Sequence, residues 1–422
     1  MEGVLSLSDV NLDGLTVLYR VDVNSPIEPS SGELLDDGRL RAIIPTIEKL
    51  SKTKLVILGH QSRPGKSDFT DMSAHSERLQ LIINREVKYV SDICGKLAIQ
   101  SIKDLSDGEI LFLDNVRMNE EEYGKKYKSN EDTEKASIID TLVEIADVYV
   151  TDAFAASHRR SPTLTGFASK IPNICGLLME KEIDGLRIAL HNPPRPYISI
   201  LGGAKADDSL RVANNLIKKG FIDIVAFVGV AGNMMLWAAG HDIGEINKNF
   251  IRDNLGDEFD NTWNHASNLI SKHRDLLFLP SDLAIEVDEN RVPISLDDLP
   301  TDFPIYDIGI QTLMELKPKI KQSGCILWNG PASYFELPKF AFGTIEILNM
   351  CSESDGITII GGGHTSALVN QRGVSKFMTH NSTGGGSTMS FLSGERMPVI
   401  EALKKSYSIF SDKLDQIGIN SK

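Results

Sequence analysis

Apolar residues along this chain come in short unbroken runs rather than in alternation with polar ones. Val, Ile and Leu gather, the run stops at polar residues or glycine, and a stretch with helical spacing follows. In the first half the pattern recurs at Leu15–Arg20 into Asp22-Val23-Asn24, Leu55–Leu58 into Gly59-His60, Ile110–Leu113 into Asp114-Asn115, and Val148–Val150 into Thr151-Asp152. In the second half it recurs at Tyr197–Leu201 into Gly202-Gly203, Ile224–Val228 into Gly229, Leu276–Leu279 into Pro280-Ser281-Asp282, Ile326–Trp328 into Asn329-Gly330, and Ile357–Ile360 into Gly361. Strands that are apolar on both faces belong in parallel sheets covered on both sides by helices. The expected class is therefore α/β, with doubly wound, Rossmann-like parallel sheets. In such sheets ligands bind beyond the carboxyl ends of the strands, and those ends are where the polar residues of this chain collect.

A length of 422 residues suggests two or three domains at roughly 150 residues each. Gly176–His191 (GLLMEKEIDGLRIALH) carries helical spacing between the halves and reads as an interdomain helix, and Ser129–Lys135 as a solvated loop running into a helix. The weakly polar run Ile224–Gly240 is interrupted by Gly229, Gly232 and Asn233 and falls short of the ~20 apolar residues of a membrane span. It reads as a buried strand, a loop and a packed helix. The net charge of −14 argues against nucleic acid or an anionic membrane as the main partner, yet leaves room for a local basic pocket. Cys94, Cys175, Cys325 and Cys351 form no C-x-x-C pair and read as buried thiols in a reducing compartment. The opening MEGVLSLSDVNLDG has acids and no apolar core, so no signal peptide is expected and the chain reads as cytoplasmic.

The two halves differ in what their strand ends carry. The first offers Arg39, Arg41, His60, Arg63, Arg117, His158, Arg159 and Arg160, and the second offers Gly202-Gly203, Gly361-Gly362-Gly363 and Gly384-Gly385-Gly386. Arginine suits phosphate and carboxylate because its planar fork binds two oxygens at once. Glycine lets backbone N–H groups approach an anion closely, with a helix N-terminus behind them. Each glycine loop alone is as consistent with a tight turn; together, with Lys205 and the hydroxyls of Ser382 and Thr383, they point to nucleotide phosphates. Gly59–Ser67 is not a P-loop, since five residues separate Gly59 from Gly65 where that motif needs four. No G-x-G-x-x-G is present, which removes the main signature of a dinucleotide oxidoreductase.

Taken in order, Arg20-Val-Asp22-Val-Asn24, Asp37-Gly-Arg39, Gly59–Pro64, Asp114–Arg117, Asp147–Arg159, Ile200–Lys205, Trp328–Pro331 with Phe335-Glu336, Gly361–Thr365 and Ser382–Gly386 resemble the phosphoglycerate kinases over nearly the whole chain. The resemblance implies a reversible phosphoryl transfer from 1,3-bisphosphoglycerate to ADP, giving 3-phosphoglycerate and ATP, a step shared by glycolysis and gluconeogenesis. It implies an N-terminal phosphoglycerate-binding domain over 1–172, an interdomain helix and hinge over 173–192, a C-terminal nucleotide-binding domain over 193–396, and a segment 397–422 packing back on the first domain. Asp22, Asn24, Arg39, His60, Arg63, Arg117 and Arg159 match the substrate pocket. Gly202, Lys205, Asn329, Pro331, Glu336, Gly362, Gly363, His364 and Thr365 match the nucleotide site, with Glu336 on the ribose hydroxyls. Arg39, Lys205, Gly384 and Gly385 match the groups around the transferring phosphoryl, and magnesium accompanies ATP or ADP. For Arg20 an ion pair with Asp22 is the preferred reading, and His158 and Arg160 read as support residues.

The chain departs from the family twice. Most members carry Asp, a magnesium contact, where His364 stands, and many carry a second Lys where Ser209 stands. The metal's protein ligands are therefore left unassigned, and both departures, with Gly229–Leu236, resemble the archaeal branch. Two rival readings stay open: a two-domain kinase of another fold, and a binding protein that kept the ligands and lost catalysis. A monomer is expected, with a dimer left open.

Overall fold

The computed structural model describes residues 3–414 and 419–421. The chain forms two compact units, one of Met1–Asp184 with Arg396–Lys422 and one of Gly185–Glu395. Each holds a parallel sheet, as the unbroken apolar runs require.

In the first unit seven strands lie in the order Leu5–Ser6, Asn173–Cys175, Val148–Thr151, Thr16–Arg20, Lys54–Leu58, Ile110–Leu113, Lys88–Val90, every neighbouring pair parallel. Both faces are buried. Val17, Tyr19, Leu55, Ile57, Val148 and Val150 belong to one apolar layer, while Leu18, Val56, Leu58, Leu111, Leu113 and Tyr149 belong to the other. Successive strand residues point to opposite faces, so a strand packed on both sides has no polar position to offer. After the edge strand Leu5–Ser6 the chain enters the central strand Thr16–Arg20, winds outward through Lys54–Leu58, then returns to Val148–Thr151 on the opposite flank. That reversal makes a switch point, the place where open α/β sheets leave a crevice. Register brings the strand ends level: Arg20 pairs with both Leu58 and Thr151. Asp22, His60 and Asp152 therefore start from one rim.

The helix Pro398–Phe410 is part of this unit. Asn130 Nδ2 donates to the Pro398 carbonyl at 2.8 Å, the Asn173 amide donates to Ser406 Oγ at 2.8 Å, and Lys405 reaches Glu131 at 3.1 Å and Glu134 at 3.0 Å. Of the segment 397–422, residues 415–418 and 422 lie outside the described ones, as do residues 1–2 at the other end. The stretch read as an interdomain helix forms Leu177–Arg187 and a following turn Ile188–Leu190.

In the second unit six parallel strands lie in the order Leu277–Phe278, Ile224–Phe227, Tyr197–Leu201, Cys325–Asn329, Ile357–Gly361, His380–Asn381. Asn329 pairs with both Leu201 and Gly361, so three loops leave the sheet at one level. A three-stranded antiparallel sheet of Asp282–Val287, Asn290–Ser295 and Ile305–Ile308 was not foreseen. Its hairpin turns at Asp288 and Glu289, both at positive φ, without the glycine that usually announces such a turn.

Candidate active site

The rim of the first sheet gathers cations around one carboxylate. Asp22, just past the central strand, pairs with Arg39 Nη1 at 2.9 Å. Arg39 comes from the short helix Gly38–Ala42, which Asp37 steadies by a two-point contact with Arg41 at 2.8 and 3.0 Å. The Asn24 side chain accepts from the Ser62 amide at 2.7 Å, and Arg117 donates to the Ser62 carbonyl. Ser62 sits at φ 52°, a left-handed conformation, between His60 and the exposed Arg63. Arg159 is exposed at the far side and donates to the His158 ring at 3.2 Å.

Burial would push the Asp22 carboxyl up, but Arg39, His60, the Asn24 amide and Arg20 outweigh it and bring it down to about 2. Asp22 is thus ionised at any working pH. His60 is 3% exposed. Burial holds its imidazole well below 6.5, Asp22 opposes, and Arg20, Arg117 and Arg159 add to the depression. The ring is neutral at neutral pH. Arg20 can only donate, so its Nη2 contact with His60 Nδ1 at 3.4 Å makes Nδ1 the acceptor and leaves the proton on Nε2. Burial, Arg159 and Arg20 lower the Arg117 guanidinium to about 10, which still leaves it charged.

Arg20 does not pair with Asp22; the ionic partner is Arg39. Arg20 is 1% exposed, and its Nε donates to Thr163 Oγ1 at 3.0 Å while Nη1 reaches the Val21 carbonyl. As the last residue of a central strand it is held within the sheet rather than beyond it. Behind Thr163 stands Glu122, 7% exposed, which accepts from Ser161 Oγ at 2.6 Å, Thr163 Oγ1 at 2.7 Å and the Thr163 amide at 2.9 Å. Nothing marked Glu122 in the sequence, where it belongs to a run of three glutamates that looks like a solvated face.

In the second unit the three level loops interlock. The Gly202 amide donates to the Asn329 carbonyl at 2.9 Å, Gly203 to Pro331 at 2.8 Å, and the Gly330 amide to Thr365 Oγ1 at 2.9 Å. A Cβ on Gly202 would lie 2.4 Å from the Pro331 carbonyl oxygen, so glycine is required for the loops to approach. Asn329 Oδ1 is buried and without a partner among the described residues, and it faces Gly361 and Gly362. Gly363 and His364 open the helix Gly363–Gln371, both exposed. Lys205 is exposed at the start of the helix Ala206–Lys219, and Glu336 is exposed after the buried Pro331. Ser382 Oγ accepts from the Gly384 amide at 3.1 Å, and Gly385, at φ 53°, leads into the helix Gly386–Leu392.

Ser209 is buried beneath this loop and its hydroxyl donates to the Gly202 carbonyl at 3.1 Å. The position thus supports the glycine turn rather than presenting a group to a ligand. Cys175, Cys325 and Cys351 are buried as expected while Cys94 is only half-buried, and burial raises all four thiols above their usual range, to about 12 for Cys325 and Cys351.

The phosphoglycerate kinase family model matches residues 7–395. The chain is 41% identical to a phosphoglycerate kinase of Methanobacterium bryantii over 94% of this chain and 96% of that one. It is 43% identical to that of Methanococcus maripaludis over 96% and 98%. Among solved structures, the phosphoglycerate kinase of Pyrococcus horikoshii OT3 superposes with a TM-score of 0.88 at 36% identity, covering 96% of this chain and all of that one. The phosphoglycerate kinase of Coxiella burnetii gives 0.77 at 27% identity over 95% and 99%.

Proposed function

The chain belongs to the phosphoglycerate kinase family, and from that premise we propose that the pocket around His60 takes the phosphoglycerate while the glycine loops take the nucleotide. The reaction is the reversible transfer of a phosphoryl group between 1,3-bisphosphoglycerate and ADP, with 3-phosphoglycerate and ATP on the other side. The archaeal character of the relatives agrees with the sequence resemblance. The observation that carries the assignment of sites is the neutral, buried His60 ringed by Arg20, Arg117 and Arg159, with Asp22 and Arg39 beside it. A ligand with a phosphate and a carboxylate supplies the anions that these cations lack, while Asp22 and the Nε2 proton of His60 suit its hydroxyl and oxyanions.

In the ATP-consuming direction a carboxylate oxygen of 3-phosphoglycerate attacks the γ-phosphorus. The bond to the bridging oxygen breaks, and its electron pair leaves on ADP. No proton has to move, so no general base is needed, and catalysis is positioning and neutralisation of the equatorial oxygens. Arg39 and Lys205 supply that neutralisation, with amides at Gly384–Gly386 completing the cradle. Asp22 keeps the Arg39 guanidinium aimed. Gly202, Asn329, Pro331, Gly362, Gly363, His364 and Thr365 line the nucleotide, and Glu336 holds its ribose.

Magnesium enters with the nucleotide as part of the substrate. Among the described residues no three His, Cys, Asp or Glu side chains gather where they could hold a metal. His364 offers an imidazole where Mg²⁺ prefers oxygen, and the Thr365 hydroxyl is taken by Gly330. This donor set does not suit a protein-held ion, and phosphates and water would complete its coordination. We assign to 173–192 the hinge of a substrate-driven closure, which would exclude water. No helix among the described residues is long and apolar enough to cross a membrane, and a cytoplasmic enzyme fits the buried thiols.

The test is turnover of 3-phosphoglycerate with Mg·ATP, read through a dehydrogenase that consumes the 1,3-bisphosphoglycerate product and NADH. Turnover is expected. Binding of both ligands without turnover would instead make this a chain that kept the fold and lost the chemistry.

A further inference from the structure

We propose that Glu122 is a positioning residue for the phosphoglycerate pocket, holding through Thr163 the Arg20 guanidinium in its contact with His60. The inference rests on the reading that this pocket takes the phosphoglycerate. Its basis is a buried chain of hydrogen bonds that orients Arg20. An ionised carboxylate only accepts, so Thr163 must spend its single hydroxyl proton on Glu122 Oε1, at 2.7 Å. The lone pairs of Thr163 Oγ1 are then turned toward Arg20, whose Nε donates to it at 3.0 Å. That bond fixes the guanidinium plane, and its Nη2 meets His60 Nδ1 at 3.4 Å. Arg20 donates at both ends, to Thr163 and to His60, so what the relay passes on is the placement of the guanidinium, which keeps His60 Nδ1 as the acceptor and leaves the Nε2 proton for the pocket. A reversed hydroxyl at Thr163 would face an Arg20 donor with a proton of its own.

The same carboxylate also holds the stretch that follows Arg159 and Arg160. Its Oε1 accepts from Ser161 Oγ at 2.6 Å and its Oε2 from the Thr163 amide at 2.9 Å, pinning the start of Pro162–Thr165. Glu122 lies shortly beyond Arg117 in sequence, within Glu120–Tyr123. It thus ties the segments bearing Arg117 and Arg159 to the central strand that bears Arg20. Its charge counts as well: with Asp22 it opposes the burial and the like charges of Arg159 and Arg20 that depress Arg117. Leaving such a network half satisfied is costly because its members have no water to turn to.

The experiment compares wild type with Glu122→Gln, which keeps the volume but turns an amide donor toward Ser161 or Thr163. Wild-type turnover comes first, since its absence would defeat the assignment of function rather than this inference. The variant should raise KM for 3-phosphoglycerate about tenfold, the scale of one buried charge-assisted hydrogen bond, and leave KM for Mg·ATP unchanged. Nitrogen-15 spectra should show His60 losing its single Nε2-protonated form. Should Glu122→Gln fail to fold, Thr163→Val breaks the same relay and carries the same expectations. An unchanged KM for 3-phosphoglycerate, equal rises in both KM values, or a His60 tautomer that does not move would each overturn the proposal.

Discussion

His60 and His75 are both held neutral by burial, His60 among arginines and His75 against Gln61, with His75 brought down to about 4. The unfolded chain protonates each at its ordinary 6.5 while the native one refuses. The unfolded state then binds more protons, so stability falls as pH drops below 6.5, and the His75 share is fully lost once pH passes about 4. The His75 ring-proton resonances should keep neutral shifts from pH ~7.5 to ~5, and a His60 resonance titrating near its ordinary value would contradict the buried pocket. Arg39→Ala should lower kcat by ~10²–10³ if the guanidinium serves the transition state. A rise in KM alone would make Arg39 a binding residue. At this scale the sequence was legible where a side chain follows a strand end, as at Asp22 and His60. It misled at Arg20, because the identity of an ion-pair partner depends on whether the last strand residue lies within the sheet or beyond it.

The elements carrying the glycine loops of the second unit are set by glycine and by a hydroxyl beneath them. Gly202→Ala would place a methyl group 2.4 Å from the Pro331 carbonyl oxygen and 3.0 Å from that of Gly330. Backbone has to move, at ~1–3 kcal/mol, and Mg·ADP affinity measured by calorimetry should fall; unchanged affinity would show that the loops do not meet the ligand. Ser209→Ala removes the bond to the Gly202 carbonyl and should weaken Mg·ADP by about threefold, the scale of one neutral hydrogen bond. The parallel strands were readable because burial on both faces leaves an unbroken apolar run, as at Leu55–Leu58. The edge strands Leu5–Ser6 and Lys88–Val90 were not, being short, and Lys88 pairs with Glu109 instead of joining a core. The antiparallel hairpin stayed hidden because its outer strand Asn290–Ser295 is half-exposed, contains Pro293 and lacks a glycine turn.

On the scale of the whole chain, Pro398–Phe410 is bonded to residues of the first unit rather than trailing from it, and the Val399 amide donates to the Ser157 carbonyl at 3.2 Å, next to His158 and Arg159. Truncation at about Pro398 should therefore lower the melting temperature and weaken 3-phosphoglycerate binding; unchanged binding and turnover would count against a role for this segment in the pocket. The long sequence separation between Ser157 and Val399 is why only resemblance, and no local pattern, suggested such packing. Everything proposed for the molecule turns on the phosphoglycerate and the nucleotide being bound by separate sets of residues. The most direct test titrates 3-phosphoglycerate and Mg·ADP calorimetrically into Arg117→Ala and Lys205→Ala. Arg117→Ala should lose at least about tenfold in 3-phosphoglycerate affinity with Mg·ADP untouched, and Lys205→Ala should do the reverse. Loss of Mg·ADP binding in Arg117→Ala, with 3-phosphoglycerate still bound, would contradict the separation.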